Sequence, residues 1–216
     1  MGSVITVDQK NPDGEVVERV AAVLREGGVA VLPTDSVYGI CCAATPENPA
    51  HGRIFDIKRR DRAQTLPWFI AEASDLMRYG RDVPSWAVRL AERYWPGALT
   101  IVVRASGEVP AEYAQPAEGG PTIALRVPGS ALDRAVARAL GVPLAQTSAN
   151  THGAPSATSG GSVEPQIVAA ADLTLDGGEA PVGVASTIVD ATRPEPRVLR
   201  EGALTCDEVL LAVRGA

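Results

Sequence analysis

Aromatic residues make up only 4% of this 216-residue chain, so a stacking platform for single-stranded nucleic acid is poorly supplied. Cysteine is scarce as well. Cys41, Cys42 and Cys206 form neither a disulfide framework nor a zinc-ligand pattern, and the adjacent pair reads as apolar filler of a strand. A reducing, cytoplasmic setting is expected from that usage. The only histidines are His51 and His152, both expected at the surface, and no Gly-x-Ser-x-Gly elbow accompanies them. A Ser-His or Cys-His nucleophile therefore has no support. There is no His-Glu-x-x-His, no Cys-x-x-Cys, no Gly-x-x-x-x-Gly-Lys-Ser/Thr and no Gly-x-Gly-x-x-Gly. These absences argue against a tight transition-metal site and against P-loop or Rossmann nucleotide binding. No apolar run approaches the ~18–20 residues of a membrane span. The first residues lack a basic flank before an apolar core, so no secretory leader is expected. Basic residues are outnumbered, 20 against 26 acidic, for a net charge of −6. That argues against a broad DNA-coating surface and leaves room for a local anion site.

What is present is ordinary globular composition, 45% hydrophobic and 21% charged, which excludes disorder of the whole chain. No internal repeat or break in composition divides it, so one domain over 1–216 is expected, with its core at about 15–202 and a last helix over 205–213. A helix over 15–26 places Val16, Val20, Val23 and Leu24 on one face and stops at Gly27-Gly28. Short apolar or β-branched runs predict strands at 29–32, 37–42, 99–104, 122–127, 143–146 and 197–200. Residues 66–70 form a further candidate, limited by Pro67 to an edge or a bulge. Helices are expected from Thr45-Pro46-Glu47 to about Arg59, over 73–79 and 84–94, and from a Ser130 cap to Leu140. Thr205 and Glu208 form a capping box that opens the last helix. Interleaved strands and helices of this kind imply an α/β (α+β) sheet with helices on its faces.

Positive charge concentrates at Lys58-Arg59-Arg60-Asp61-Arg62. Lysine occurs only at positions 10 and 58, so Lys58 stands out as a point charge among arginines. The alternative is a solvated helix end whose cations complement the dipole. Arg126 lies in the apolar run Ile123-Ala-Leu-Arg-Val-Pro128, where a charge is costly unless paired. It is either an internal salt bridge or a clamp for a carboxylate or phosphate. Ser148 and Asn150 follow a strand end, where α/β sheets place ligands, although both residue types also serve turns and caps. The loop 147–161 is dense in hydroxyl and amide groups, more in keeping with ligand binding than with a linker. Ser186, Thr187 and Arg200 add to a set that supplies cations and hydroxyls but no evident nucleophile. Such a set fits phosphate chemistry run by electrostatic positioning, with a metal assisting.

Seven stretches, in order, resemble the YrdC-like family, the threonylcarbamoyl-AMP synthases. They are Pro33-Thr-Asp-Ser-Val-Tyr-Gly39, Lys58-Arg-Arg60, Trp95-Pro-Gly-Ala-Leu-Thr100, Ala124-Leu-Arg-Val-Pro128, Thr147-Ser-Ala-Asn150, Ser186-Thr-Ile-Val-Asp190 and Leu199-Arg-Glu-Gly202. The resemblance implies a YrdC-like three-layer fold, a twisted mixed sheet with flanking helices around a cationic cavity. It implies formation of threonylcarbamoyl-AMP and pyrophosphate from L-threonine, bicarbonate and ATP. That product serves N6-threonylcarbamoyladenosine at tRNA position 37, through a partner transferase. By the same resemblance, Lys58 and Arg60 grip the triphosphate as the catalytic cations. Thr122, Ser148, Asn150, Ser156 and Arg200 contact ATP, and Thr34, Arg126, Gln146 and Ser186 hold L-threonine. Mg²⁺ arrives with ATP and no protein metal site is implied. The competing reading is a tRNA- or double-stranded-RNA-binding module without this activity. The sequence departs from the family at Gln64-Thr-Leu-Pro-Trp-Phe69, where many relatives carry Asn-Pro-Leu and then His. Ser36 stands at the usual second threonine of Pro-Thr-x-Thr, and the further C-terminal domain of longer relatives is not expected.

Overall fold

The computed structural model describes residues 3–214. The outermost residues of the expected 1–216 domain lie outside that range. An eleven-stranded mixed sheet runs through the chain in the order β1-β9-β2-β3-β8-β4-β7-β6-β10-β11, with β5 paired to β6. The strands are β1 (Ser3–Thr6), β2 (Ala30–Leu32), β3 (Gly39–Ala43), β4 (Trp68–Phe69), β5 (Gly80–Arg81) and β6 (Leu99–Ala105). They continue with β7 (Thr122–Arg126), β8 (Leu144–Ser148), β9 (Leu173–Asp176), β10 (Thr187–Asp190) and β11 (Arg197–Arg200). The helices are α1 (Gly14–Arg25), α2 (Pro49–Lys58), α3 (Asp75–Tyr79), α4 (Ser85–Tyr94), α5 (Ala131–Leu140), α6 (Pro165–Ala170) and α7 (Cys206–Arg214).

The sheet separates two cores because successive strand residues face opposite sides. In β3, Ile40 and Cys42 join a large core with Ile54 of α2, Leu90 of α4, Ile167 of α6 and Val209 of α7. Cys41 and Ala43 join a smaller one with Val20 and Leu24 of α1 and Leu132 and Val136 of α5. Each large apolar side chain among these, fully buried, contributes about 1.5–3 kcal/mol from removal of apolar surface. The expected helix–sheet–helix layering is therefore present.

Local signals fix the helices that frame the open part of the sheet. The Asp13 carboxylate accepts from the Glu15 N–H at 2.8 Å and caps α1. The Ser130 hydroxyl accepts from the Asp133 N–H at 3.2 Å, and Gly141, at φ +73°, closes α5 in the left-handed region. The capping box of α7 forms as expected, with Thr205 N donating to Glu208 at 2.7 Å and Glu208 N to Thr205 Oγ1 at 3.2 Å.

Two expectations require correction. The second helix starts not at Thr45-Pro46 but at Pro49, because Asn48 accepts from the Ala50 N–H at 2.9 Å and the preceding Glu47 has φ +57°. The strand after Pro67 is internal rather than an edge. It shortens to Trp68–Phe69 between β8 and β7, and the Pro67 carbonyl still accepts from Gln146 N at 2.9 Å. Strands β1, β5, β9 and β10 and helix α6 were not expected from local pattern.

Candidate functional site

Over β7, β6 and β10 the sheet has one covered and one open face. Leu99, Ile101, Val103, Ile123, Leu125 and Val189 enter the large core. The alternate residues, among them Thr100, Arg126 and Ile188, line an open cavity. The rest of its wall includes the loop after β2, the start of β3, Arg60 after α2, Phe69 of β4, the second half of β8, Ser156, the residues just before β10 and Arg200 at the end of β11.

Of the expected site residues, Thr34, Arg60, Arg126, Gln146, Ser148, Ser156, Ser186 and Arg200 line this cavity. Arg126 is 2% exposed. Its Nε donates to Gly97 O at 2.9 Å, Nη1 to Ser36 Oγ at 2.9 Å, and Nη2 to both Asp35 oxygens at 2.7 Å. Its guanidinium also lies 5.0 Å from the Phe69 ring centroid. The salt-bridge reading therefore holds: the charge is paired with Asp35, and one Nη1 hydrogen is left without a partner among the described residues. Arg200 donates from Nη2 to Ser186 O at 2.7 Å, and the Ser186 hydroxyl shares a hydrogen with Thr100 Oγ1 at 2.9 Å. Arg60 is tethered through Nε to Gln64 at 2.8 Å and through Nη1 to Thr147 Oγ1 at 3.1 Å. Burial lowers the pKa of both guanidiniums, and for Arg200 the nearby Arg126 adds to the effect. An anion entering the cavity relieves that cost.

Thr34 organises its own loop. Its hydroxyl donates to Val37 O at 2.7 Å and accepts from Ser36 N at 3.0 Å. Lys58 is buried behind the wall rather than in it. Its ammonium donates to the carbonyls of Ser148 and Asn150, and so braces the loop that follows β8. Burial first, and the Arg60 charge second, lower its pKa to about 8. Asn150 turns inward, donating to Thr151 O at 3.0 Å and Ala154 O at 2.7 Å. Tyr38 N, donating to Ala157 O at 2.8 Å, ties the same loop to the residue that precedes β3. The loop is an anchored wall, not a linker. Thr122 shares the open face but not the cavity. It lines an adjoining hollow with Arg104 and Asp190.

His51 departs from the surface expectation. It packs with its ring centroid 4.3 Å from that of Tyr113 and 5.2 Å from that of Phe55, and burial lowers its pKa. His152 is exposed. Among the described residues no group of three or more His, Cys, Asp or Glu could hold a metal ion. No described helix is long and apolar enough to cross a membrane. Sequence reasoning missed Asp35 and Asp133. Asp35 was within reach, since it sits inside the quoted Pro33–Gly39 stretch; Asp133 gave no local signal.

Guanidiniums and hydroxyls gathered on one open sheet face give this α/β protein a cavity whose chemistry suits an anion. A family model described as "Telomere recombination", for Sua5, YciO and YrdC, matches residues 22–202, and the chain belongs to that family. Threonylcarbamoyl-AMP synthase of Pyrococcus abyssi is 36% identical over 88% of this chain and 55% of its own length. YciO of Escherichia coli, an uncharacterised protein, is 30% identical over 94% of this chain and 96% of its own. The crystal structure of P. abyssi Sua5 complexed with L-threonine superposes with a TM-score of 0.89 at 34% identity, over 99% of this chain and 61% of that one. The chain therefore spans little more than half of the synthase and nearly all of YciO.

Proposed function

We propose that this chain is an L-threonylcarbamoyladenylate synthase, joining L-threonine, bicarbonate and ATP into threonylcarbamoyl-AMP and pyrophosphate. The observation that carries the reading is the convergence of Arg60, Arg126 and Arg200 with the Ser148, Ser156 and Ser186 residues on one cavity. The identity to a synthase and the similarity to a threonine-bound structure support the same substrates.

In this reading the threonine amine captures CO2 derived from bicarbonate and loses a proton, giving a carbamate. A carbamate oxygen attacks the α-phosphorus of ATP, and the bond to the β-phosphate bridging oxygen breaks to release pyrophosphate. The substrates supply nucleophile and leaving group, so the protein needs only to align them and balance charge. Arg60 and Arg200 take the phosphates. Arg126 offers its remaining N–H to the amino-acid carboxylate, and Ser186 donates beside it. Lys58 acts through the loop it braces. Mg²⁺ belongs to the ATP substrate and offsets charge on its phosphates; the Asp35 carboxylate beside the cavity is engaged by Arg126. The ATP is that of the cytoplasm, and the labile product passes to a transferase acting on tRNA.

The test is pyrophosphate release by the full chain. Release that requires both L-threonine and bicarbonate is expected. Release indifferent to threonine overturns the reading, and RNA binding with a steep salt dependence but no ATP turnover replaces it with the RNA-binding module.

A further inference from the structure

Gln146 lies in the middle of β8 and is fully buried, yet it lines the cavity. Its Nε2 donates to Asp133 Oδ1 at 2.9 Å. Its Oε1 is buried without a hydrogen-bond partner among the described residues. Three features hold the amide in that orientation. Asp133 sits in the first turn of α5, where the Ser130 cap fixes the backbone beneath it. An ionised carboxylate only accepts, so it demands the NH2 end of the amide. Gly39 leaves the space, since a Cβ there would lie 2.3 Å from Nε2 and 2.9 Å from Cδ of Gln146.

A buried acceptor without a partner costs free energy unless a ligand donates to it. The donor it favours is set by its surroundings. Asp133 stands directly behind the amide and makes Oε1 more negative, which favours a cationic donor over a neutral hydroxyl. Arg126, whose charge reaches Asp133, offers its N–H to a carboxylate in the same cavity. Together these supply an acceptor for an ammonium and a donor for a carboxylate, the two ends of a zwitterionic amino acid.

We infer that Asp133 is a positioning residue which locks the Gln146 amide so that its Oε1 receives the α-amine of the amino-acid substrate. The inference rests on the proposed function and adds to it the group that reads the amine.

Asp133→Asn keeps shape while removing the demand for a donor. The introduced carboxamide can accept from Nε2 or donate to Oε1 of Gln146, so the Gln146 amide turns freely. Calorimetric titration of the full chain with L-threonine and with L-2-aminobutyrate, which lacks the hydroxyl, tests this. Asp133→Asn is expected to weaken both ligands by a similar factor, roughly tenfold or more. In turnover the KM for L-threonine rises while the KM for ATP stays, a split that a general loss of structure does not produce. Should Asp133→Asn not fold, Gly39→Ala, whose Cβ displaces the amide, carries the same expectation. Equal binding by parent and folded variant overturns the inference. Weakening confined to L-threonine also overturns it, since the group read is then the hydroxyl. A parent that binds neither ligand overturns the proposed function and this inference together, whereas the preceding outcomes leave the proposed function standing.

Discussion

Lys58 and Asp133 are both buried ionisable groups, and their shifts make opposite demands on pH. The Lys58 ammonium, at about 8, is charged at neutral pH and braces Ser148 and Asn150 by charge-assisted bonds. It loses that charge as the pH passes about 8. The KM for ATP is expected to rise through that range, and Lys58→Met to show the raised KM at every pH; steady-state kinetics on either side of the Lys58 pKa checks both. The same burial makes the cation costly to the fold below about pH 8, and the cost vanishes as the pH climbs towards the ordinary lysine value of 10.5. Asp133 is raised from 3.8 to about 6, by burial foremost. Its ionised form therefore destabilises the fold above about pH 6, and the cost is relieved as the pH falls towards 3.8. Asp133→Asn is expected to stabilise the chain by about 1–3 kcal/mol at about pH 7.5 and by much less at about pH 4.5, read by denaturant unfolding. A gap that does not narrow on acidification would contradict the assignment. Stability lost to an ionised, buried carboxylate fits a residue kept for a binding site.

At the scale of elements, the cavity depends on close backbone approaches. Gly202 follows β11, and a Cβ there would lie 2.2 Å from Ala185 O and 2.8 Å from Ser186 O. Backbone cannot yield as a side-chain tip can. Gly202→Ala is expected to push apart β10 and the turn after β11, separating Arg200 from Ser186. A loss of about 1–3 kcal/mol in unfolding free energy, with a raised KM for ATP, is the expected result. Elements of this kind differ in how far the sequence announces them. Helix α1 was readable from its apolar face and the Gly27-Gly28 stop, and α5 and α7 because Ser130 and the Thr205–Glu208 pair act within three residues of the groups they cap. Strands β1 and β9 were not, since four residues paired in parallel across the chain carry no turn and no alternation of their own. The two-residue β4 owes its place to neighbours on both sides. The site follows the same rule. Arg126 was visible as a charge in an apolar strand, but its partner Asp35 is 91 residues away, and the Gln146–Asp133 bond joins a strand to the first turn of a helix.

For the whole molecule, the decisive contrast is between a net charge of −6 and a cavity walled by Arg60, Arg126 and Arg200. An overall negative surface repels polyanions at a distance, while the cavity attracts an anion small enough to enter it. The two effects differ in range. Surface repulsion is screened beyond a Debye length of about 10 Å at 0.1 M salt, and the pull of the half-buried Arg60 and the exposed Arg200 on a phosphate is weakened by the same salt. A nucleotide is therefore favoured over a long nucleic acid, and raising salt should act mainly on the anionic substrate. Between about 50 and about 500 mM NaCl the KM for ATP is expected to rise several-fold. The KM for L-threonine, a zwitterion without net charge, should change by less than about twofold. Inorganic pyrophosphate should compete with ATP and lose potency over the same range. Initial-rate measurements at fixed pH and Mg²⁺ decide the matter. If both substrates respond to salt alike, the guanidiniums are not acting as the phosphate site, and the division of the cavity between Arg60 and Arg200 on one side and Arg126 on the other fails with it.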